Sequence, residues 1–326
     1  LVFVLNISTF VKNKDMNTNY NAIYDFCKVR NNGVSTKNGT VDYPPRVKFI
    51  IELLEKLGID YEMDTYQVGK YKDNNFHNIY LRGTSTRWFM AHHDVCNHNI
   101  DNANDNSASV INAIMLKNIR PDVNIALVDG EELPTMGLGS AHFSDRVNNG
   151  DFGTVEWVLN LELTGIGGKN FFIADMNNLL CDKIFDKFGC PPFNPPFSDA
   201  TIMNSRGIMT TVINPLPLVE RGFKITKLGA LEDDGFKLGE LIFADDIKKI
   251  NLHYRDNDEL EDDNIDKFML EPFEISESDF DKMPSIEYMD TSILWRCHMA
   301  ADTVDKIKTD DMKEFVEQVL TVIADI

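Results

Sequence analysis

Basic side chains are scarce in this chain: 32 Lys and Arg stand against 52 Asp and Glu, a formal net charge of −20. A surface of that sign repels phosphate backbones and anionic headgroups, which argues against nucleic-acid and membrane-surface partners. Long apolar runs are lacking as well. None approaches the roughly 20 residues that a bilayer-spanning helix needs, and the opening LVFVL is short for a secretory h-region, with no basic residue ahead of it. Cysteine is sparse and scattered. Cys27, Cys96, Cys181, Cys190 and Cys297 are odd in number and form no CxxC pair, which suggests reduced thiols rather than a disulfide framework. These absences together lead us to expect a cytoplasmic protein. No internal repeat is visible.

What is present suits a globular chain. Of 326 residues 43% are hydrophobic, ample for a core. Residues 1–40 are polar apart from a helical patch near Tyr20 to Val29 and read as an N-terminal arm on the main body. In PRVKFIIELLEKLGI, the stripe of Val47, Ile50, Ile51, Leu54 and Leu57 predicts a helix that Gly58 stops. YEMDTYQV and HNIYLRG read as strands, and Trp88 to Ala91 as a buried strand. From Asp105 the chain alternates: a helix to about Ile119, the strand VNIALVD, a turn at Gly130, a helix from Leu138 and the strand VEWVLNLEL. NFFIAD and MTTVINPLP read as further strands, with the helix LLCDKIFDKFG between them. A last helix carries Met312, Phe315, Val316, Val319, Leu320 and Ile323 on its core face. Strands alternating with helices predict an α/β fold with a largely parallel or mixed sheet covered on both faces. The acid-rich stretch at about 219–288, which includes RDNDELEDDNID, has little periodicity and reads as a surface insertion or lid.

In such sheets, ligands bind at the carboxyl ends of the strands. His92 follows one predicted strand end, Glu131 and Glu132 follow VNIALVDG, and Glu162 closes WVLNL. On extended backbone His92 and Asp94 point to one side and His93 to the other. That suits an imidazole bound to a metal through one nitrogen while a carboxylate holds the proton of the other. The same triplet also fits a polar strand end with a surface histidine. Asp105 stands just before a predicted helix and fits a cap equally well. Gly130 breaks the extended backbone, so Glu131 and Glu132 need not diverge to opposite faces. One can bind a cation while the other takes the proton of a metal-activated water, although an acidic loop accounts for the dipeptide taken alone.

Taken in order, His92-x-Asp94, Asp105, Glu131-Glu132, Glu162 and His298 resemble the M28 family of zinc peptidases, which includes aminopeptidases, some carboxypeptidases and glutaminyl cyclases. The stretches AHHDV, NANDNSAS, DGEELPTMGLGS, LNLELTG, FSDATIMNSRGIMTTVI and HMAADTVDKI carry the resemblance, over residues 78–215 and 290–326. It implies a zinc-exopeptidase-like, three-layer α/β/α sandwich with a mixed, mostly parallel central sheet, and a single catalytic domain over 41–326. It implies two zinc ions bridged by Asp105, with His92 and Glu162 completing one shell and Glu132 and His298 the other. Glu131 becomes the general base and Asp94 the group that orients His92. Such N and O donors are chemically right for zinc.

The activity implied is that of a metal-dependent aminopeptidase acting on peptides or small proteins. The alternatives are a single-zinc glutaminyl cyclase and a non-catalytic binding protein that retains the fold. Several positions depart from the family's pattern. Glu162 stands where Asp is most frequent, Ser109 where Gly is preferred, and Ala200 follows Ser198 and Asp199 where a histidine is frequent. The segment 219–288 has no counterpart. His77, His98, His142 and His253 match no family position and read as surface or capping residues. Cys96 reads as a small pocket-wall side chain rather than a nucleophile. Asp302 matches a family position and is expected to cap the last helix or support His298.

Overall fold

Consecutive side chains of a strand point to opposite faces, so strands that are apolar throughout must feed two cores at once. A computed structural model describes residues 19–29, 43–71, 74–96, 98–132, 135–169, 171–174, 176–190, 192–193, 198–215 and 302–326. The acidic segment 219–288, His253, Cys297 and His298 lie outside the described residues. The elements run α1 (Ala22–Phe26), α2 (Pro45–Leu57), β1 (Glu62–Tyr66), β2 (Phe76–Leu81), β3 (Arg87–His92), α3 (Ala108–Ile119), β4 (Asn124–Val128), α4 (Leu138–Asn148) and β5 (Trp157–Leu161). They continue with β6 (Phe171–Ala174), α5 (Leu179–Phe188), β7 (Pro192–Phe193), α6 (Asp199–Ser205) and β8 (Thr210–Pro215). A C-terminal helix, α7, is made of three consecutive pieces, Thr309–Phe315, Val316–Leu320 and Thr321–Ile323.

The strands form one eight-stranded sheet in the order β1-β2-β4-β3-β5-β8-β6-β7. Its centre, β4-β3-β5-β8, is parallel. The pairs β1/β2, β2/β4 and β8/β6 are antiparallel, and β6/β7 is parallel. Alternation sorts the side chains as required. Phe89, Ala91, Ile125, Leu127 and Leu159 join Val47 of α2, Ile114 of α3 and Phe315 of α7 in one core. Trp88, Met90, Ala126, Val128 and Val158 join Phe143 of α4 and Met203 of α6 in the other. Three layers result, helices on both faces of a mixed sheet.

Helix α3 is buried without a break from Ala108 to Lys117 because it packs against β3 and β4 as well as α7. A helix apolar on all sides demands such a place. Lys117, its one buried charge, donates from Nζ to the carbonyls of Arg82, Pro121 and Val123 at 2.7, 2.7 and 2.8 Å. The helical patch near Tyr20 forms α1, and Tyr20, Ile23 and Phe26 are buried in the same core as α2 and α3. Phe26 stacks on Phe49 with ring centroids 5.1 Å apart. Among the described residues, no helix is long and apolar enough to cross a membrane.

The helix expected from Asp105 begins instead at Ala108. Asp105 (φ −108°, ψ 93°) and Asn106 (φ −129°, ψ 30°) are not helical and lie in an irregular turn, Ala103–Ser107. The peptide between them is cis. Asp105 therefore stands off the helix, and Ser107, which precedes α3, makes no side-chain cap bond. The short elements β7 and α6 were not expected from periodicity. Helix α6 is started by a capping box between Ser198 and Thr201.

Candidate metal centre

The parallel strands β4, β3 and β5 end side by side, with His92 in register with Val128. Residues that follow β4 and β5 are thereby delivered to the end of β3. Gly130 turns the chain at φ +82°, a conformation that favours glycine, and Glu131 and Glu132 follow at once. The turn Ala103–Ser107 supplies Asp105 from the side. His92 Nε2 lies 3.2 Å from Asp105 Oδ1 and 3.5 Å from Glu162 Oε2. Two sets of ligand atoms converge within 4.8 Å of one another: His92 with Asp105 and Glu162, and His92 with Glu131 and Glu132. Asp105 and Glu132 do not share a set among the described residues.

Asp94 connects the parts. Its Oδ1 is 3.5 Å from His92 Nδ1 and accepts the backbone N–H of Glu131 at 3.1 Å, while Oδ2 accepts that of Glu132 at 3.0 Å. One carboxylate thus faces the imidazole and also fixes the turn that carries both glutamates. His93, on the other side of the strand, donates its ring Nε2–H to the His77 carbonyl at 2.7 Å and belongs to neither ligand set. The extra length of Glu162 is taken up within its own sheet: Asn160 Nδ2 donates to Oε1 at 3.0 Å, which leaves Oε2 toward His92. Asp302 does not cap α7, whose N-cap is Lys308, and His298, its other expected partner, lies outside the described residues. Its two oxygens accept the backbone N–H groups of Asn104 at 2.7 Å and Asp105 at 3.1 Å, so it holds the turn that presents Asp105.

Carboxylates outnumber the imidazole they surround. Burial alone would depress His92, yet Glu162, Asp105 and Asp94 prevail and hold it well above 6.5. Burial raises Glu131 well above its ordinary value, with Glu132, Asp199 and Glu162 adding repulsion. Burial also raises Glu162. Asp94 moves the other way: burial opposes its charge, but His92 and the Glu132 N–H hold its pKa down. A buried set of carboxylate and imidazole donors that repel protonless neighbours is a set that a divalent cation satisfies. The residues present therefore fit a zinc ion in donor type and in mutual distance.

Two carboxylates of this region escaped the sequence. Asp199, fully buried at the start of α6, has no hydrogen-bond partner for either oxygen among the described residues, and burial, with Glu162 and Asp94, raises it to about 7. Its local signal was the capping box, which reads as a helix start and nothing more. Asp129, raised by burial and Asp94 to about 8, accepts the His77 N–H at 2.9 Å. His77 itself is buried rather than superficial, with Nδ1 3.0 Å from Thr65 Oγ1. His142 stacks on Tyr66 at 3.9 Å, and His98 is exposed. Cys96 is half-buried, with Sγ 3.5 Å from Asn102 Oδ1.

No family model matches the chain, and no curated protein matches it in sequence. Solved structures match it in fold. A glutaminyl cyclase of Porphyromonas gingivalis aligns with a TM-score of 0.56 at 13% identity, covering 95% of this chain and 98% of that one. An aminopeptidase of Legionella pneumophila aligns at 0.54 and 12%, covering 99% and 78%. A leucine aminopeptidase precursor from Bacteroides thetaiotaomicron aligns at 0.56 and 15%, covering 99% and 100%. The chain has the zinc-exopeptidase-like α/β fold that the resemblance implied, and at these identities the likeness bears on the fold alone.

Proposed function

We propose that this protein is a zinc-dependent exopeptidase of the M28 type, an aminopeptidase that hydrolyses the first peptide bond of a peptide or small protein. The observation that carries the reading is the convergence of His92 and Glu162, at the ends of adjacent parallel strands, with Asp105 from the turn before α3, and with Glu131 half-buried beside them. His92, Asp105 and Glu162 hold one ion; Glu132, with Asp105 and His298, is assigned to a second. A bound zinc ion supplies Lewis acidity, bringing the pKa of its water to about 7 and polarising the carbonyl to be attacked.

The chain's own residues do the rest. Glu131 accepts the proton of the attacking water and returns it to the leaving nitrogen. Asp94 orients the His92 ring and, through the N–H groups of Glu131 and Glu132, keeps the base in register with the ligands. Glu131→Gln is expected to retain zinc and lose activity by roughly 10²- to 10⁴-fold, the usual share of general acid–base catalysis. Full activity in that variant overturns the mechanism.

One observation favours a second reading. Both ligand sets among the described residues draw on the same His92 imidazole, an arrangement that suits one ion built on that ring. A single-zinc glutaminyl cyclase needs no more, with Glu131 shuttling the proton as the α-nitrogen attacks the glutamine side chain. The zinc-loaded protein, incubated with free-N-terminus, blocked and N-terminal-glutamine peptides and read by mass, separates the two. Loss of a residue from free N-termini supports the peptidase. Loss of ammonia from N-terminal glutamine alone supports the cyclase.

A further inference from the structure

Arg46 is 2% exposed and, with Lys117, is one of two buried Lys or Arg side chains among the described residues. Its Nε donates to the carbonyl of His93 at 2.7 Å and one terminal nitrogen donates to Ser107 Oγ at 2.9 Å. The Ser107 hydroxyl passes its own proton on to the Asn102 carbonyl at 2.6 Å. Phe26 of α1 covers the guanidinium, 3.9 Å from its centroid. Burial pushes Arg46 down to about 10, which leaves it a cation at neutral pH.

Burying a cation costs several kcal/mol, and an apolar side chain would fill the same space without that penalty. What the guanidinium adds is a rigid fork with donors in two directions. Here two of the donors in use reach the two ligand-bearing segments, and a third, Nη1, donates to the Val29 carbonyl at 3.4 Å. His93 lies between His92 and Asp94 at the end of β3, and Ser107 lies two residues after Asp105 in the turn before α3. The turn is tied to β5 by Asn106, which donates to the Leu161 carbonyl at 2.9 Å, and to the C-terminal segment by Asp302. Arg46 makes the tie to the strand that carries His92.

We propose that Arg46 is a positioning residue for the metal centre: by clamping the His93 carbonyl to Ser107 it sets the spacing of His92 and Asp105, and with it the affinity for zinc. The inference rests on the metal-centre reading above and adds to it a brace supplied by α2, with α1 as its cover. Neither helix contributes a ligand.

The test measures zinc affinity by competition with a chromophoric chelator, the visible spectrum of the cobalt-substituted protein and the thermal midpoint of the metal-free protein, for the wild type, Arg46→Met, Arg46→Lys and Ser107→Ala. Arg46→Met is expected to bind zinc roughly 10- to 100-fold more weakly, the usual effect of removing an outer-shell partner, with an altered cobalt spectrum. Arg46→Lys keeps the charge but offers no fork, and should fall between it and the wild type. Ser107→Ala should shift affinity in the same direction by less. A lowered metal-free midpoint with unchanged zinc affinity and cobalt spectrum would mean packing alone and overturns the inference. Should Arg46→Met fail to fold, unchanged affinity in both other variants overturns it equally. A wild type that binds no zinc removes the metal centre first, and this inference with it.

Discussion

Two clusters of carboxylates sit on this sheet and are finished in opposite ways. At β1, Arg146 donates to Glu62 and Asp64 at 2.9 Å each and to Asp151 at 3.0 Å, while His142 Nε2 lies 3.0 Å from Asp64. The guanidinium also lies over Tyr80 and Phe152, 5.2 and 4.6 Å from their centroids. Burial works against the Asp64 charge, but bonds from His142 and Arg146 prevail and hold its pKa below the ordinary value. Around the ends of β3, β4 and β5 the balance reverses: Glu131, Glu162 and Asp199 are all raised by burial and by neighbouring carboxylates. The first cluster is neutralised by the protein's own cations. The second, among the described residues, has no such internal cation beyond His92, and in the proposed reading a divalent ion from solution takes that place.

This contrast predicts opposite responses to pH, and the largest effect is on the metal-free protein. Asp199 (about 7 against 3.8) and Asp129 (about 8 against 3.8) hold protons in the folded chain that the unfolded chain has already released. The stability they lend is complete below pH 3.8 and declines as pH rises toward 8. His92, held above 6.5, acts in the same sense: its contribution is full below 6.5 and disappears as pH rises through its folded value. Asp64, held below 3.8, does the reverse and is lost only as pH falls. Thermal melts in chelator should therefore show falling stability from pH 5 to 8. Zinc at about a thousand times its Kd should restore about 4 kcal/mol at pH 8 and flatten the profile. A metal-free profile that rises to pH 8, or one indifferent to zinc, breaks the comparison.

The β1 cluster supplies the next test. Arg146→Met should cost about 2 kcal/mol, dominated by the charged bond to Asp64, since the partners Glu62 and Asp151 are more exposed and screened. Denaturant titration at pH 7 reads that loss. Zinc affinity should stay within twofold of the wild type, about 0.4 kcal/mol, because none of these groups belongs to a ligand set. A large fall in affinity would show the two clusters to be coupled.

Much of the second cluster was legible because His92, Glu131 and Glu162, unlike Asp105, follow largely apolar strands. WFMA ends in His92, NIALV is followed within a few residues by Glu131, and WVLNL ends just before Glu162. Periodicity separates strand from loop at those points, and the parallel order of β4, β3 and β5 brings their ends together. What supports the cluster was not legible. Arg46 follows a helix-starting proline, where a charge normally faces water, and only the packing of α1 over it reveals its burial. Asp199 looks like the first turn of a short helix. Its burial depends on α6 lying against α4, where Gly137 leaves no room for a side chain because Ile202 lies 2.8 Å from the Cβ position. Local sequence encodes most of the candidate ligands, whereas their supports depend on contacts between distant segments.

Ser109 offers the smallest and sharpest test, since it stands where the resemblance leads one to expect glycine. Its hydroxyl is not idle: Oγ lies 2.9 Å from Thr164 Oγ1, and Asn112 Nδ2 donates to that same Oγ1 at 2.8 Å and to the Thr164 carbonyl at 2.9 Å. All three residues are buried, and together they fasten α3 to the segment that follows Glu162. Like the β1 cluster, this network is bonded from within the chain, with only Asn112 Oδ1 left without a partner among the described residues. Ser109→Ala should cost about 1 kcal/mol, because Thr164 keeps its bonds to Asn112 when the serine hydroxyl is removed. Ser109→Gly should cost somewhat more, glycine being about 1 kcal/mol worse than alanine within a helix. Denaturant titration of the two variants orders them, and zinc affinity should not move in either. If affinity falls with stability, the network belongs to the metal centre, and the division between internally satisfied and metal-dependent clusters must be redrawn along α3.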